Sequence, residues 1–312
     1  MFDRLTDADF DAYAPAKQRS NVYNRERLDT KQRLLPLARA LSPALTGSDG
    51  APLEVSWSLE HPHLINRKQV DAQHVYFSRG EAARRALDTI IDRARGVASL
   101  LEDSTPQRSH LHLAVSLHSD KIDVALRLHP EATVDRQNLL QKCQDPYQLD
   151  HLAALVASLP ETFVCGVAPE LVSVHTLGRV ALADQLRRVA TTSRQGESPF
   201  VLARTHPRAA VLAAGSDLVA LLAGDLAALL PLYRHCAWSR DNDFVSVKEA
   251  LEKKQTERRQ NGIARGDEVR VVRGLFSGQL GTVQEVGPRG ALRLLVGKMT
   301  VKLDAADVER RA

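Results

Sequence analysis

Arg265-Gly-Asp-Glu-Val-Arg-Val-Val-Arg-Gly-Leu-Phe-Ser-Gly-Gln-Leu-Gly-Thr-Val-Gln-Glu-Val286 sets two valine-rich runs on either side of a loop that carries three glycines and one aromatic residue. The order reads as strand, glycine-rich turn, strand. Val269 and Val271 alternate with Glu268 and Arg270, the period of two expected where one strand face is buried and the other wet. Gly274, Gly278 and Gly281 fall where a tight connection needs a positive φ or a close backbone approach.

Outward from this stretch the pattern continues. Gly287-Pro-Arg-Gly290 is a second turn signal, Ala291 to Val296 a third strand, Gly297-Lys298 a break and Met299 to Leu303 a fourth strand. Four short strands in about forty residues are poorly stable as an open sheet, so closure into a small barrel is the expected arrangement.

The stretch resembles a KOW motif, the SH3-like element at the C-terminus of NusG-type transcription factors and in certain large-subunit ribosomal proteins, with Gly266-Asp267, Gly274, Phe276, Gly278, Gly281 and Val283 at favoured positions. The resemblance covers the last fifty or so residues. It implies a module that binds ribosomal RNA, a ribosomal protein or a transcription component. On that reading Arg270, Arg273, Arg289, Arg293, Lys298 and Lys302 supply phosphate contacts, Phe276 a stacking or apolar contact, and Gly278 with its fellow glycines the turn shape. The aromatic-rich opening that precedes the barrel in NusG-type factors is missing, which argues against clamping a polymerase directly. A purely stabilising or self-associating barrel is the alternative, because such barrels host many functions.

With 312 residues and 44% apolar content, the chain is long enough for two or more domains. Cys143, Cys165 and Cys236 are widely spaced and odd in number, which suits buried thiols in a reducing compartment better than a disulfide framework or zinc site. The opening Met1-Phe-Asp-Arg-Leu-Thr-Asp-Ala-Asp lacks the basic and apolar regions of a secretory leader, so a cytoplasmic location is expected. The net charge of +4 is unevenly placed: from Lys248 onward fourteen Lys and Arg face nine Asp and Glu. A second basic stretch, Lys17 to Arg39, reads equally as a phosphate-contacting surface or as a solvated helix face.

Upstream, Asp7 to Ala14 reads as a short helix capped by Thr6 or Asp7, and Asn24 to Leu41 as a basic amphipathic helix broken or kinked at Pro36, with Leu28, Leu34, Leu35 and Ala38 toward the core. Leu53 to Glu60 and Gln73 to Ser78 are strand candidates, and Gly80 to Leu101 a helix. Val134 to Lys142 and Leu149 to Leu159 read as helices, Phe163 to Val167 as a strand, Gly178 to Thr191 as a helix, and Phe200 to Arg204 as a strand. Ala209 to Tyr233 is apolar, but Gly215, Asp217 and Asp225 interrupt it, so the expectation is a strand or turn up to Ala214 and then a buried helix, with no membrane span. Val247 to Gln260 reads as a polar helical linker.

His110 to Pro130 is the most informative upstream segment. Leu111, Leu113, Val115 and Leu117 alternate with His110, His112, Ser116 and His118, and the pattern resumes from Ile122 after Ser119-Asp120. A two-residue hairpin turn there sets Ser116 opposite Asp123, His112 opposite Arg127 and His110 opposite His129. His110, His112, Asp123, Arg127 and His129 then form a titratable patch suited to phosphate binding, metal binding or acid–base work, or simply the wet polar side of a hairpin. Arg127 opposite His112 disfavours a metal cation.

The expected architecture is an α/β (α+β) domain over 1–245 with an antiparallel hairpin-containing sheet, a polar linker over 246–262, and a small KOW-like β-barrel over 263–312. No dinucleotide fingerprint, phosphate loop, nucleophile elbow or Cys-x-x-Cys pair is present, so no cofactor or metal is called for. The sequence points to a non-enzymatic accessory factor that docks on RNA or DNA, or on a ribosomal or transcription protein. A nucleic-acid-processing enzyme using the hairpin face and a protein-interaction scaffold are the rivals.

Overall fold

Strands Glu54–Trp57 (β1), Ala72–Ser78 (β2), His112–His118 (β3), Lys121–Leu128 (β4), Phe163–Val167 (β5), Glu170–Ser173 (β6) and Phe200–Pro207 (β7) form one antiparallel sheet in the order β1-β2-β3-β4-β7-β5-β6. The computed structural model describes residues 2–47, 50–58, 69–84, 87, 109–167, 170–191, 199–246, 265–274, 276–287, 291–297 and 299–310. These fall into two compact units, Met1–Val245 and Ser246–Ala312. The α/β class, the antiparallel hairpin and the separate small C-terminal β-sheet are as the residue patterns imply.

One face of the large sheet is apolar. Val75, Phe77, Leu113, Val115, Leu117, Ile122, Val124, Leu126, Phe163, Cys165 and Leu202 are all buried there, because alternation along each strand puts them on the same side. Helices Asp7–Asp11 (α1), Asn24–Leu41 (α2), Thr133–Lys142 (α3), Pro146–Ala157 (α4), Arg179–Thr191 (α5), Arg208–Ala214 (α6) and Leu218–Cys236 (α7) supply the rest of this core. Burial of this much apolar surface, at roughly 25 cal/mol per Å², is the main force holding the layers together.

Several local expectations need correction. α2 runs unbroken from Asn24 to Leu41 through Pro36. Leu28 is 44% exposed, while Arg27 takes an inward position and donates to the carbonyls of Ser20 and Lys17 and to Asn24 Oδ1. Ala209 to Ala214 is helix, since Pro207 ends β7 and sits just ahead of α6 where a missing N–H costs nothing. Strand β6 was not foreseen, and β1 stops at Trp57. The anticipated helix from Gly80 is described only at Glu81–Arg84 and Leu87, and the linker 247–260 lies outside the described residues.

Residues Arg208 to Cys236 are long and apolar enough, by length and composition, to cross a membrane. In the fold, α7 buries Leu218, Leu222, Leu226, Leu229 and Leu232 at helical spacing, together with Asp225. Beyond it, residues 237–245 are pinned to α3. Asp135 Oδ1 accepts from Trp238 N at 2.8 Å, and Lys142 Nζ donates to Asn242 Oδ1 at 2.8 Å. Asn138 both donates to Asn242 O at 2.9 Å and accepts from Phe244 N at 2.7 Å. Asp135 also pairs with Arg79 and accepts from Leu111 N at 2.8 Å.

The C-terminal unit contains Glu268–Val271 (β8), Leu280–Val286 (β9), Ala291–Val296 (β10), Met299–Asp304 (β11) and Val308–Arg310 (β12), in the order β11-β10-β9-β8-β12. Val269, Val271, Val283, Leu292, Leu294, Val296 and Val308 form its core. The fifth strand, Val-Glu-Arg, is too short to show an alternation, which is why four strands rather than five were read. It returns antiparallel to β8 and covers that strand's open edge.

Candidate functional site

Two places gather the residues singled out by the sequence. The first is the second face of the large sheet. The register pairs His112 with Arg127 and Ser116 with Asp123, as the two-residue turn requires. His110 precedes β3, so its expected pairing with His129 lies outside the ladder; instead the His112 and His129 rings stack at 5.8 Å.

Continuing the register through β2 and β7 resolves the face into rows. Ser78, His112, Arg127 and Val201 make one, Tyr76, Ala114, Ala125 and Ala203 the next, and His74, Ser116, Asp123 and Thr205 a third. The alanine row lets the long Arg127 side chain cross it, so that Nη2 donates to Ser116 Oγ at 3.1 Å. Ser116 Oγ also lies 2.8 Å from His74 Nδ1. His74, Tyr76 and Thr205 were missed in the sequence reading, although Val75 and Phe77 alternate with the first two and mark them as facing this way.

This face is not the wet side of a hairpin. His112 and Ser116 are 0% exposed and His110 is 2% exposed. Burial, the neighbouring His129, Arg127 and His110 together push the His112 pKa down to about 3, against the hydrogen bond to the His110 carbonyl. A patch that gains and loses protons near neutrality is therefore not what His112 provides. Asp123 is half-buried, and burial raises its pKa; hydrogen bonds from His118, Thr205 and Lys121 more than reverse this and hold the carboxylate ionised. Thr205 Oγ1 donates to it at 2.6 Å and Lys121 Nζ lies 3.1 Å away. Asp123 thus serves the hairpin end and is not free to act as a base. Among the described residues, no group of three or more His, Cys, Asp or Glu is arranged to hold a metal ion.

The second place is the loop between β8 and β9. Val271 N donates to Gln279 O at 2.9 Å and Gly278 N to Val271 O at 2.7 Å, while Ser277 N donates to Gly274 O at 3.1 Å. Gly278 has φ +86, a conformation that a Cβ resists, whereas Gly281 is required by space: an added Cβ would lie 2.9 Å from Val296 Cγ2. Arg273 is exposed on this loop, and Arg270 and Lys302 are exposed on the strands. Arg293 is exposed but paired with Glu285 at 3.1 Å. Phe276 does not stand out into solvent; the ring is half-buried against the small core, because the turn folds back over its edge. Arg289 and Lys298 lie outside the described residues.

No family model and no curated protein matches the chain. Among solved structures, the crystal structure of the MjSpt4:Spt5 complex (conformation A) is similar over 53% of this chain and 91% of that one, at 14% identity and a TM-score of 0.18. A superposition that loose carries no argument about fold or role.

Proposed function

We propose that the C-terminal unit is a KOW-type docking module and that the protein is a non-enzymatic accessory factor, held by this module on RNA within a ribosomal or transcription assembly. The observation that carries the reading is the hydrogen-bonded β8–β9 loop, which holds Arg273 at its exposed turn while Arg270 and Lys302 stand exposed on the neighbouring strands. Among the described residues these three cations enter no ion pair, so they are available to phosphates. Phe276 contributes shape to the loop rather than a free stacking surface.

The reading is tested by titrating full-length protein with single-stranded RNA at several salt concentrations. Three phosphate contacts give a slope of about −2 in log K against log salt. Affinity independent of salt, or partner capture that survives nuclease treatment unchanged, would overturn RNA in favour of a protein partner.

A further inference from the structure

α7 leaves one narrow line of its surface uncovered. Between Leu218 and Cys236 the exposed residues are Ala220, Gly224, Ala227, Pro231 and Arg234, and Asp217 is exposed just ahead of them. From Asp217 onward they are spaced three, four, three, four and three residues apart, the heptad rhythm that keeps a stripe on one side of a helix. Its four inner members are small and uncharged, and Val219, Ala223 and Ala228 flank them partly buried. Of the most apolar eighteen residues between Arg208 and Cys236, only 28% are buried. A helix that serves only the core of its own unit is mostly buried, so this face calls for a cover.

The ends of the stripe define what covers it. Asp217 enters no ion pair among the described residues. Arg234 turns its guanidinium to Thr46, with Nε donating to the carbonyl at 3.1 Å and Nη2 to the hydroxyl, so its charge meets no carboxylate there. Asp225, the one carboxylate within α7, is buried and engaged by Arg204 and His206. An identical stripe laid antiparallel with Gly224 against Ala227 sets Ala220 against Pro231 and Asp217 against Arg234, and the two-fold symmetry repeats each pairing. The charged ends are 234 − 217 = 17 residues apart. That is about 25 Å of helix, so opposite charges meet at both ends in this direction and register, whereas parallel stripes in register would set like on like. Side chains this small let the two axes approach to about 8 Å. At the Asp217 end the surface opens into a cavity of about 570 Å³ lined by Phe2, Pro36, Arg39, Ala40, Ser216 and Val219, which leaves room for the end of an incoming helix.

We propose that the exposed face of α7 is a homodimer interface, on which α7 of a second copy of this chain packs antiparallel, with the small residues at its centre and an Asp217–Arg234 pair at each end. The interface belongs to the N-terminal unit and does not rest on the docking role of the C-terminal one.

Sedimentation equilibrium of the full-length protein across the micromolar range is the test, and twice the chain mass is the expected result. Gly224→Leu blocks the middle of the stripe. A Cβ at Gly224 meets nothing within 4 Å in the single copy, so the fold is retained while the dimer weakens at least tenfold. Asp217→Arg and Arg234→Asp each set like charges against one another at both ends, and each is monomeric alone. Mixed in equal amounts the two variants pair, because each chain supplies the charges that the other's ends lack. A monomer at every concentration, a dimer indifferent to Gly224→Leu, or a mixture of the charge variants that stays monomeric overturns the proposal. A monomer that floats with phosphatidylcholine vesicles assigns the face to a membrane surface instead.

Discussion

Asp225 Oδ2 lies 2.5 Å from Nε2 of His206, inside the layer where α7 crosses the sheet. The other carboxylate oxygen accepts from Arg204 Nη1 at 2.7 Å. A helix that is otherwise leucine-rich thus carries one buried anion, set against two basic side chains that β7 turns toward the core. Removing it by Asp225→Ala leaves Arg204 without its counter-charge and His206 without its hydrogen-bond partner, and should cost about 3 kcal/mol. Urea unfolding reads the loss. The exposed Glu285–Arg293 pair is the control, since Glu285→Ala should cost under about 1 kcal/mol.

Asp135 joins four parts of the N-terminal unit at one carboxylate: the end of β2 through Arg79, the approach to β3 through Leu111 N, α3 itself, and the chain after α7 through Trp238 N. Asp135→Ala should destabilise by about 3–5 kcal/mol, because two buried amides and a guanidinium lose their acceptor together. Hydrogen exchange should show the amides of Leu111 and Trp238 losing protection first. A change under about 1 kcal/mol would show that the junction is held by packing instead.

Two buried histidines give the fold an acid sensitivity. An unfolded histidine titrates near 6.5, whereas His112 is depressed to about 3, and burial with the nearby Lys142 and His151 depresses His235 to about 4. Between these values the unfolded chain binds more protons, so stability is present above about pH 6.5 and falls as pH drops, by about 1.4 kcal/mol per unit for each histidine. His112→Gln should flatten the slope between about pH 6.5 and 4 by one proton's worth. Unfolding curves across that range decide it.

Gly278→Ala forces a Cβ into a positive-φ position and should cost about 1 kcal/mol, loosening the β8–β9 loop without collapsing the sheet. Gly281→Ala should be worse, at about 1–3 kcal/mol, because Val296 Cγ2 and the Leu295 carbonyl stand in the way of the new atom. Thermal melts of the two variants should rank in that order.

Arg273→Ala should weaken RNA binding and reduce the salt slope by about 0.7, the share of one phosphate contact on a single strand. Arg293→Ala should do less, since that side chain is engaged by Glu285. Equal losses from the two would remove the distinction between free and paired cations.

The hairpin and its register were legible because a strict alternation and a two-residue turn leave one pairing that keeps Leu113, Val115, Ile122 and Val124 together. What alternation does not reveal is whether the opposite side is wet. The same pattern of His112, Ser116, Asp123 and Arg127 would suit solvent or a covered polar layer, and only tertiary packing distinguishes them. Arg27 was hidden for a related reason: a charged residue in a basic helix reads as surface, and the carbonyls of Lys17 and Ser20 that receive it come from the chain just before the helix. Phe276 shows the converse, since a turn bracketed by glycines displays or folds in its aromatic ring according to backbone geometry that composition does not encode.

The bonds from Asp135, Asn138 and Lys142 to residues 237–245 have a mechanical meaning. This stretch closes the N-terminal unit, whose boundary falls at Val245. Tension applied to the chain beyond residue 245 therefore reaches a bolted joint of several polar contacts before it reaches α7. The leucine helix and the sheet beneath it are shielded from a tug that would otherwise peel them apart turn by turn.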